Sequence, residues 1–177
     1  MTSEEKRLIA DCRIMVIGVS DIIDCVKVEL IKSGFKSISI ISTSDGKPDM
    51  SFTDMVAEYV GAGRSCIEEE VKIPVIYPFD FVEGAGAIVI MPGHDNELQH
   101  KDNLRLWVAE YMAGYCAFWN VEGCEWLQFA LPAIRAAKSS DAAQRTAAHI
   151  CARIAANIAV GRNVKRFPRF YLCENLD

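Results

Sequence analysis

The sequence predicts an α/β fold: a three-layer, doubly wound, Rossmann-like sheet, mostly parallel, completed by a C-terminal Ala-rich helix and a final strand. Three observations point there. Arg13 to Val19 is a buried-strand run that turns at Ser20-Asp21 into an amphipathic helix, Ile22 to Ser33, and a second strand, Ser37 to Ser42, follows directly. Strand-type and helix-type patterns then alternate along the rest of the chain, as parallel βαβ units require. A length of 177 residues with 51% hydrophobic content suits one domain, residues 1–177, with a core of its own.

Each element has a local reason. The first helix places Ile22, Ile23, Val26, Leu30 and Ile31 on one face and stops at Gly34, a natural C-cap. Thr43 to Asp49 reads as a loop, Ser51 to Tyr59 as a short helix capped by Ser51, and Gly61-Ala62-Gly63 as its break. A further helical turn is expected near Ser65 to Glu70. Val71 to Tyr77 reads as a strand that Pro74 would confine to an edge or a bulge. Ala87 to Pro92 is a buried strand. Asp95 or Asn96 would then cap a long helix through Leu98, Leu104, Trp107, Val108, Tyr111 and Met112 to Gly114. Cys116 to Val121 is expected as a strand, Trp126 to Ala137 as a helix despite Pro132, and Asp141 to Gly161 as the Ala-rich helix. Arg166 to Cys173 is the closing strand.

Composition excludes several functions. The longest apolar runs fall far short of the roughly 20 residues that cross a bilayer, and Met1 to Lys6 lacks a signal peptide's basic-then-apolar order, so a cytoplasmic protein without a membrane segment is expected. A net charge of −5 disfavours nucleic acid, although Arg162, Lys165, Arg166 and Arg169 form a local basic cluster. The seven cysteines contain no C-x-x-C pair, which argues for reduced thiols and against a zinc site. His94 and His100 are six positions apart and do not share a helical face. Trp107, Tyr111, Tyr115, Trp119 and Trp126 form an aromatic-rich middle suited to a core or a subunit interface, and the small residues from Ala147 to Ala156 suit either a dimer contact or internal packing.

In doubly wound sheets ligands bind beyond the carboxyl ends of the strands, and two loops are expected to meet that rule: Gly18 to Asp21 and Met91 to Asn96. Gly18 stands where the first glycine of a dinucleotide fingerprint belongs, but Val19, Ser20, Asp21 and Ile22 fill the remaining positions. Asp21 would put negative charge at the end of the helix that otherwise welcomes phosphate.

The order of pieces resembles the ThiF/MoeB/HesA family of ubiquitin-activating-enzyme-like adenylating enzymes. The resemblance is carried by Arg13 to Gly18, Ser33 to Ile41, Ala87 to Ile90 leading to Asp95-Asn96, and the Ala-rich helix ending at Gly161 before Arg169 to Cys173. It implies ATP and Mg²⁺ as cofactors, adenylation of the C-terminus of a ubiquitin-like or sulfur-carrier protein, and a homodimer. Carried over, the nucleotide site falls on Gly18, Ser20 and Asp21, on Asp45 and Lys47, and on Gly93, Asp95 and Asn96, with Asp95 handling Mg²⁺. Ser42 stands where the family has a ribose-binding acid, and the family's zinc cysteines are absent. Cys116 and Cys124 lie near where a transfer thiol would be sought. Phosphate chemistry depends on positioning and charge neutralisation, so these departures imply a diverged protein in which adenylation is weakened or lost. Two other readings stand beside it: a noncatalytic scaffold or partner subunit, and an NAD- or FAD-binding Rossmann protein.

Overall fold

The structure is a computed structural model in which residues 1–18, 21–42, 46–67 and 70–175 are described. It is α/β, with one open six-stranded sheet in the order β2-β1-β3-β4-β5-β6. The elements are α1 (Ser3–Asp11), β1 (Arg13–Ile17), α2 (Asp21–Ser33), β2 (Ser37–Ile41), β3 (Met55–Glu58) and β4 (Val75–Asp80). They continue with β5 (Gly84–Ile90), α3 (Leu104–Phe118), α4 (Glu125–Arg135), α5 (Asp141–Ala159) and β6 (Tyr171–Glu174). β1 pairs in parallel with β2 and β3, and β3 with β4, whereas β4/β5 and β5/β6 are antiparallel. No helix among the described residues is long and apolar enough to cross a membrane.

β1 from Ile14 onward, β3, β4 and β5 are buried throughout because both sheet faces are covered there, whereas the edge strands β2 and β6 are partly exposed. Ile14 and Val16 of β1 pack with Ile9 of α1, Ile22, Val26 and Leu30 of α2, and Ala147, Cys151 and Ile154 of α5. Met15 and Ile17 face the other way, into Tyr77, Phe79 and Ile88 and the α3 and α4 side chains Val108, Met112, Leu127 and Ile134. The alanines of α5, Ala143, Ala147, Ala148, Ala152 and Ala155, are buried against this interior, so the small-residue stripe serves internal packing. α1 begins with a capping box: Thr2 Oγ1 accepts from the Glu5 amide at 3.1 Å, and Glu5 accepts from the Thr2 amide at 2.7 Å.

Several expectations are corrected. Met55 to Glu58 is a strand rather than part of a helix, because it is buried on all four residues between β1 and β4. β4 lies inside the sheet rather than at an edge. Its ladder with β3 covers only Val75 and Ile76, so Pro78, which has no N–H to give, falls beyond that ladder. The long helix begins at Leu104, where the Asn103 side chain caps it, and not at Asp95 or Asn96. Cys116 belongs to the last turn of that helix; the Val121 amide donates back to the Cys116 carbonyl at 2.9 Å, closing a turn where a strand was expected. Ser140 caps α5, with Asp141 its first residue, and the final strand shortens to Tyr171–Glu174.

One correction governs the site. Only residues 81–83 separate β4 from β5, too few for a crossover, so the chain reverses and β5 runs antiparallel. Its carboxyl end therefore emerges opposite the carboxyl ends of β1 and β3.

Candidate functional site

The chain leaves β1 for β2 and then returns past β1 to β3, so the topological switch point lies between the carboxyl ends of β1 and β3. Gly18 sits there, buried, with φ +153°. A Cβ at Gly18 would lie 2.8 Å from Ile23 Cδ1 and 3.1 Å from the Tyr59 carbonyl oxygen. The glycine thus lets the first residue beyond β1 pack against the first beyond β3. α2 starts with Asp21 and carries Asp24 in the same first turn, both exposed. Two carboxylates at the positive end of a helix neutralise the field a phosphate would seek. Ser20 and Asp45 lie outside the described residues. Lys47 is exposed in the connection between β2 and β3.

Gly93 and Asp95 follow β5 at the other end of the sheet, as the antiparallel register of Ile90 with Val75 requires, whereas the Asn96 side chain reaches back to Tyr77 Oη. Gly93 and Asp95 border a cavity of about 690 Å³ with His94, Glu97 and Arg166. Asp95 makes an isolated antiparallel bridge to Glu70, whereas Asn96 is buried. Gly18 and Asp21 thus lie at one end of the sheet and Gly93 and Asp95 at the other, so these four do not fit one ATP–Mg²⁺ site. Among the described residues, no three His, Cys, Asp or Glu side chains converge on a point where a metal could sit.

Sequence reasoning missed the buried polar groups. Glu58 ends β3 at the switch point and is fully buried. Its carboxylate accepts from Ser65 Oγ at 2.6 Å and from the Cys66 amide at 2.8 Å. Tyr77 Oη lies 2.8 Å from Ser65 Oγ and accepts from Asn96 Nδ2 at 2.7 Å. Because the single Ser65 hydroxyl proton is given to Glu58, Tyr77 must donate to Ser65. The donors therefore all point toward Glu58, in a chain from Asn96 through Tyr77 and Ser65. Burial raises the Glu58 carboxyl above its ordinary range, opposed by the Ser65 and Cys66 hydrogen bonds. The sequence clue was a glutamate inside an otherwise apolar run, Met55 to Val60.

Removing the middle of this chain tests it. Tyr77→Phe leaves the Asn96 amide and the Ser65 hydroxyl short of a buried partner, at a cost of about 1–3 kcal/mol. The expected readout is a fall in Tm of about 2–4 °C per kcal/mol. An unchanged Tm would show that the Tyr77 hydroxyl carries no weight.

A second buried group locks the sheet to α3. Asp80, ending β4, accepts from the Val82 amide at 2.7 Å, and Arg105 NH2 lies 3.5 Å from Asp80 Oδ1. Arg105 also donates to the Asp80 carbonyl at 2.6 Å and to the Lys138 carbonyl at 2.5 Å. This holds Val82 at φ +68°, a conformation a β-branched residue rarely adopts. The first turn of α3 is tied in from the other side, with the Leu104 and Arg105 amides donating to the Gly63 and Gly61 carbonyls.

Cys116 and Cys124 are brought together: both line the same two cavities, of about 290 and 260 Å³. Burial, and then Cys124, push the Cys116 thiol up to about 12. Around them the end of α3 and the turn after it expose apolar side chains, Phe118 at 76% and Trp119 at 63%, and Phe129 in the middle of α4 is 83% exposed. Tyr115 stacks edge-on against Phe170 at 5.2 Å between ring centroids, and Phe118 against Trp119 at 5.0 Å. Lys165 and Arg169 share a cavity of about 260 Å³ with Tyr115, Val121, Phe170 and Leu172. Comparison with protein-family models and with curated proteins finds no match to this chain.

Proposed function

We propose that this chain is a noncatalytic partner subunit, a diverged relative of ThiF/MoeB-like enzymes whose inherited Rossmann-like layering now presents a protein-binding face. The observation that carries this reading is the exposed aromatic patch of Tyr115, Phe118 and Trp119, with Val121 beside it, at the end of α3 and in the turn after it. Monomeric proteins seldom expose contiguous apolar surface of this kind without a partner. Lys165 and Arg169 stand at its border, which suits a partner that offers an apolar anchor with carboxylates beside it. The resemblance names the partner class, a ubiquitin-like or sulfur-carrier protein. The paired aspartates at the start of α2 and the separation of Gly18 and Asp21 from Gly93 and Asp95 support binding without nucleotide chemistry. The free cysteines suit a reducing compartment such as the cytoplasm.

Two measurements test it. ATP with Mg²⁺, NAD⁺ and FAD should each leave Tm unchanged, whereas a nucleotide at a hundred times its Kd would stabilise a binder by about 2.7 kcal/mol. Calorimetric titration with a ubiquitin-like carrier protein should show binding that weakens as salt rises. The double variant Phe118→Ser/Trp119→Ser should weaken it at least about tenfold with Tm retained, since a tenfold loss is about 1.4 kcal/mol at exposed contacts. A clear ATP–Mg²⁺ shift, or undiminished binding by the double variant, overturns this reading. Sedimentation of the chain alone separates a second copy on the patch from a carrier protein.

A further inference from the structure

We propose that Cys116 and Cys124 form a dithiol site that closes to an intramolecular disulfide by exchange with a low-molecular-weight disulfide. The backbone brings the two together. Cys116 is in the last turn of α3, and Cys124 is the N-cap residue of α4. Between them, left-handed Asn120 at φ +49° and Gly123 at φ +78° reverse the chain, and the Val121 amide is bonded to the Cys116 carbonyl. Both cysteines border the same two cavities, of about 290 and 260 Å³, and Cys124 is near enough to act on the Cys116 thiol. A small reagent can therefore reach the pair from either of two mouths, one of them flanked by Lys165 and Arg169. Cys151, by contrast, is sealed in the core.

The two thiols have different parts. Cys124 is half-buried at the positive end of α4, and no hydrogen bond ties its side chain to that helix end. Cys116 is 7% exposed, and burial pushes its thiol pKa up. Cys124, the more accessible of the two, is therefore the attacking sulfur and Cys116 the resolving thiol. The Cys124 thiolate attacks one sulfur of the reagent disulfide; that S–S bond breaks and one reagent thiolate leaves. Cys116 then passes its proton to a leaving thiolate or to water and attacks the Cys124 sulfur, expelling the second reagent thiolate. Two protein thiols are oxidised and one small disulfide is reduced to two thiols. The new bond spans the turn that carries Trp119 and Val121. This site stands whether or not the aromatic face binds a carrier protein.

The test is reaction of the 177-residue chain with glutathione disulfide, followed by intact mass and peptide mapping under acid. The wild type should lose about 2 Da, two hydrogens, and yield a Cys116–Cys124 cross-linked peptide. Cys116→Ser should stop at a stable glutathione adduct on Cys124, and Cys124→Ser should leave Cys116 unmodified. The wild-type mapping needs no variant to fold. An unreacted wild type, a persistent wild-type adduct, or a disulfide through another cysteine each overturns the proposal.

Discussion

Arg105→Met should destabilise the protein by about 3–5 kcal/mol at neutral pH, because it leaves a buried carboxylate with its cation removed. Asp80 is fully buried and Arg105 is 5% exposed, so solvent cannot replace the lost partner. The expected fall in Tm is about 6–20 °C for a chain of this size. The pH dependence gives a signature that simple loss of packing would not. Burial already raises the Asp80 carboxyl above its ordinary value of 3.8, against the pull of the Val82 amide and Arg105. Removing Arg105 raises it further. A carboxyl whose folded pKa is raised supports stability fully below its unfolded pKa and loses that support as pH rises through the folded value. The deficit of Arg105→Met should therefore shrink as pH falls toward 4, and Asp80→Asn combined with Arg105→Met should recover part of it. A variant within about 1 kcal/mol of wild type at pH 7 would show that the pair is not the lock between β4 and α3, since such a change is ordinary for an exposed site.

The second large effect is expected at Gly84, the first residue of β5. A Cβ there would overlap the Trp126 ring and the Cys173 carbonyl oxygen. The ring could swing aside, but the carbonyl belongs to the β5/β6 ladder, in which Gly84 pairs with Glu174. Gly84→Ala should cost about 3 kcal/mol, the upper part of the range for overpacking. Amides of Tyr171–Glu174 should lose hydrogen-exchange protection before those of β1, because β6 is held to the sheet by β5 alone. Trp126→Phe in the same chain should restore part of the loss by freeing space over Gly84. Wild-type Tm and exchange in Gly84→Ala would show that β6 can shift at no cost.

Much of the fold is legible in the chain. Arg13 to Ile17 declares itself a central strand because an apolar run buried on both faces leaves no room for alternation. α2 and α5 show their periodicity and their ends, with Gly34 and Gly161 both at positive φ just past the helices. Met55–Glu58 was misread because it is only four residues long, too short to display a period of its own. The start of α3 was misplaced because Asp95 and Asn96 look like caps, whereas the Asn96 side chain is spent on Tyr77 and on the Leu98 amide. Glu58, Asp80 and Arg105 were legible only as oddities, charged residues in apolar surroundings, and Asp80 and Arg105 are 25 positions apart.

The amino-acid sequence by itself determined the α/β class, the central strand and the helices that cover it, because burial on one face or two is written in local apolarity. Only the tertiary structure decided which ends of the strands share a side of the sheet. A three-residue turn at 81–83 reversed β5 and separated Asp95 from Gly18. The same long-range packing brought Glu58 to Tyr77 and Asp80 to Arg105. Strand direction and side-chain convergence arise from pairing between distant segments, and no local pattern of residues records them.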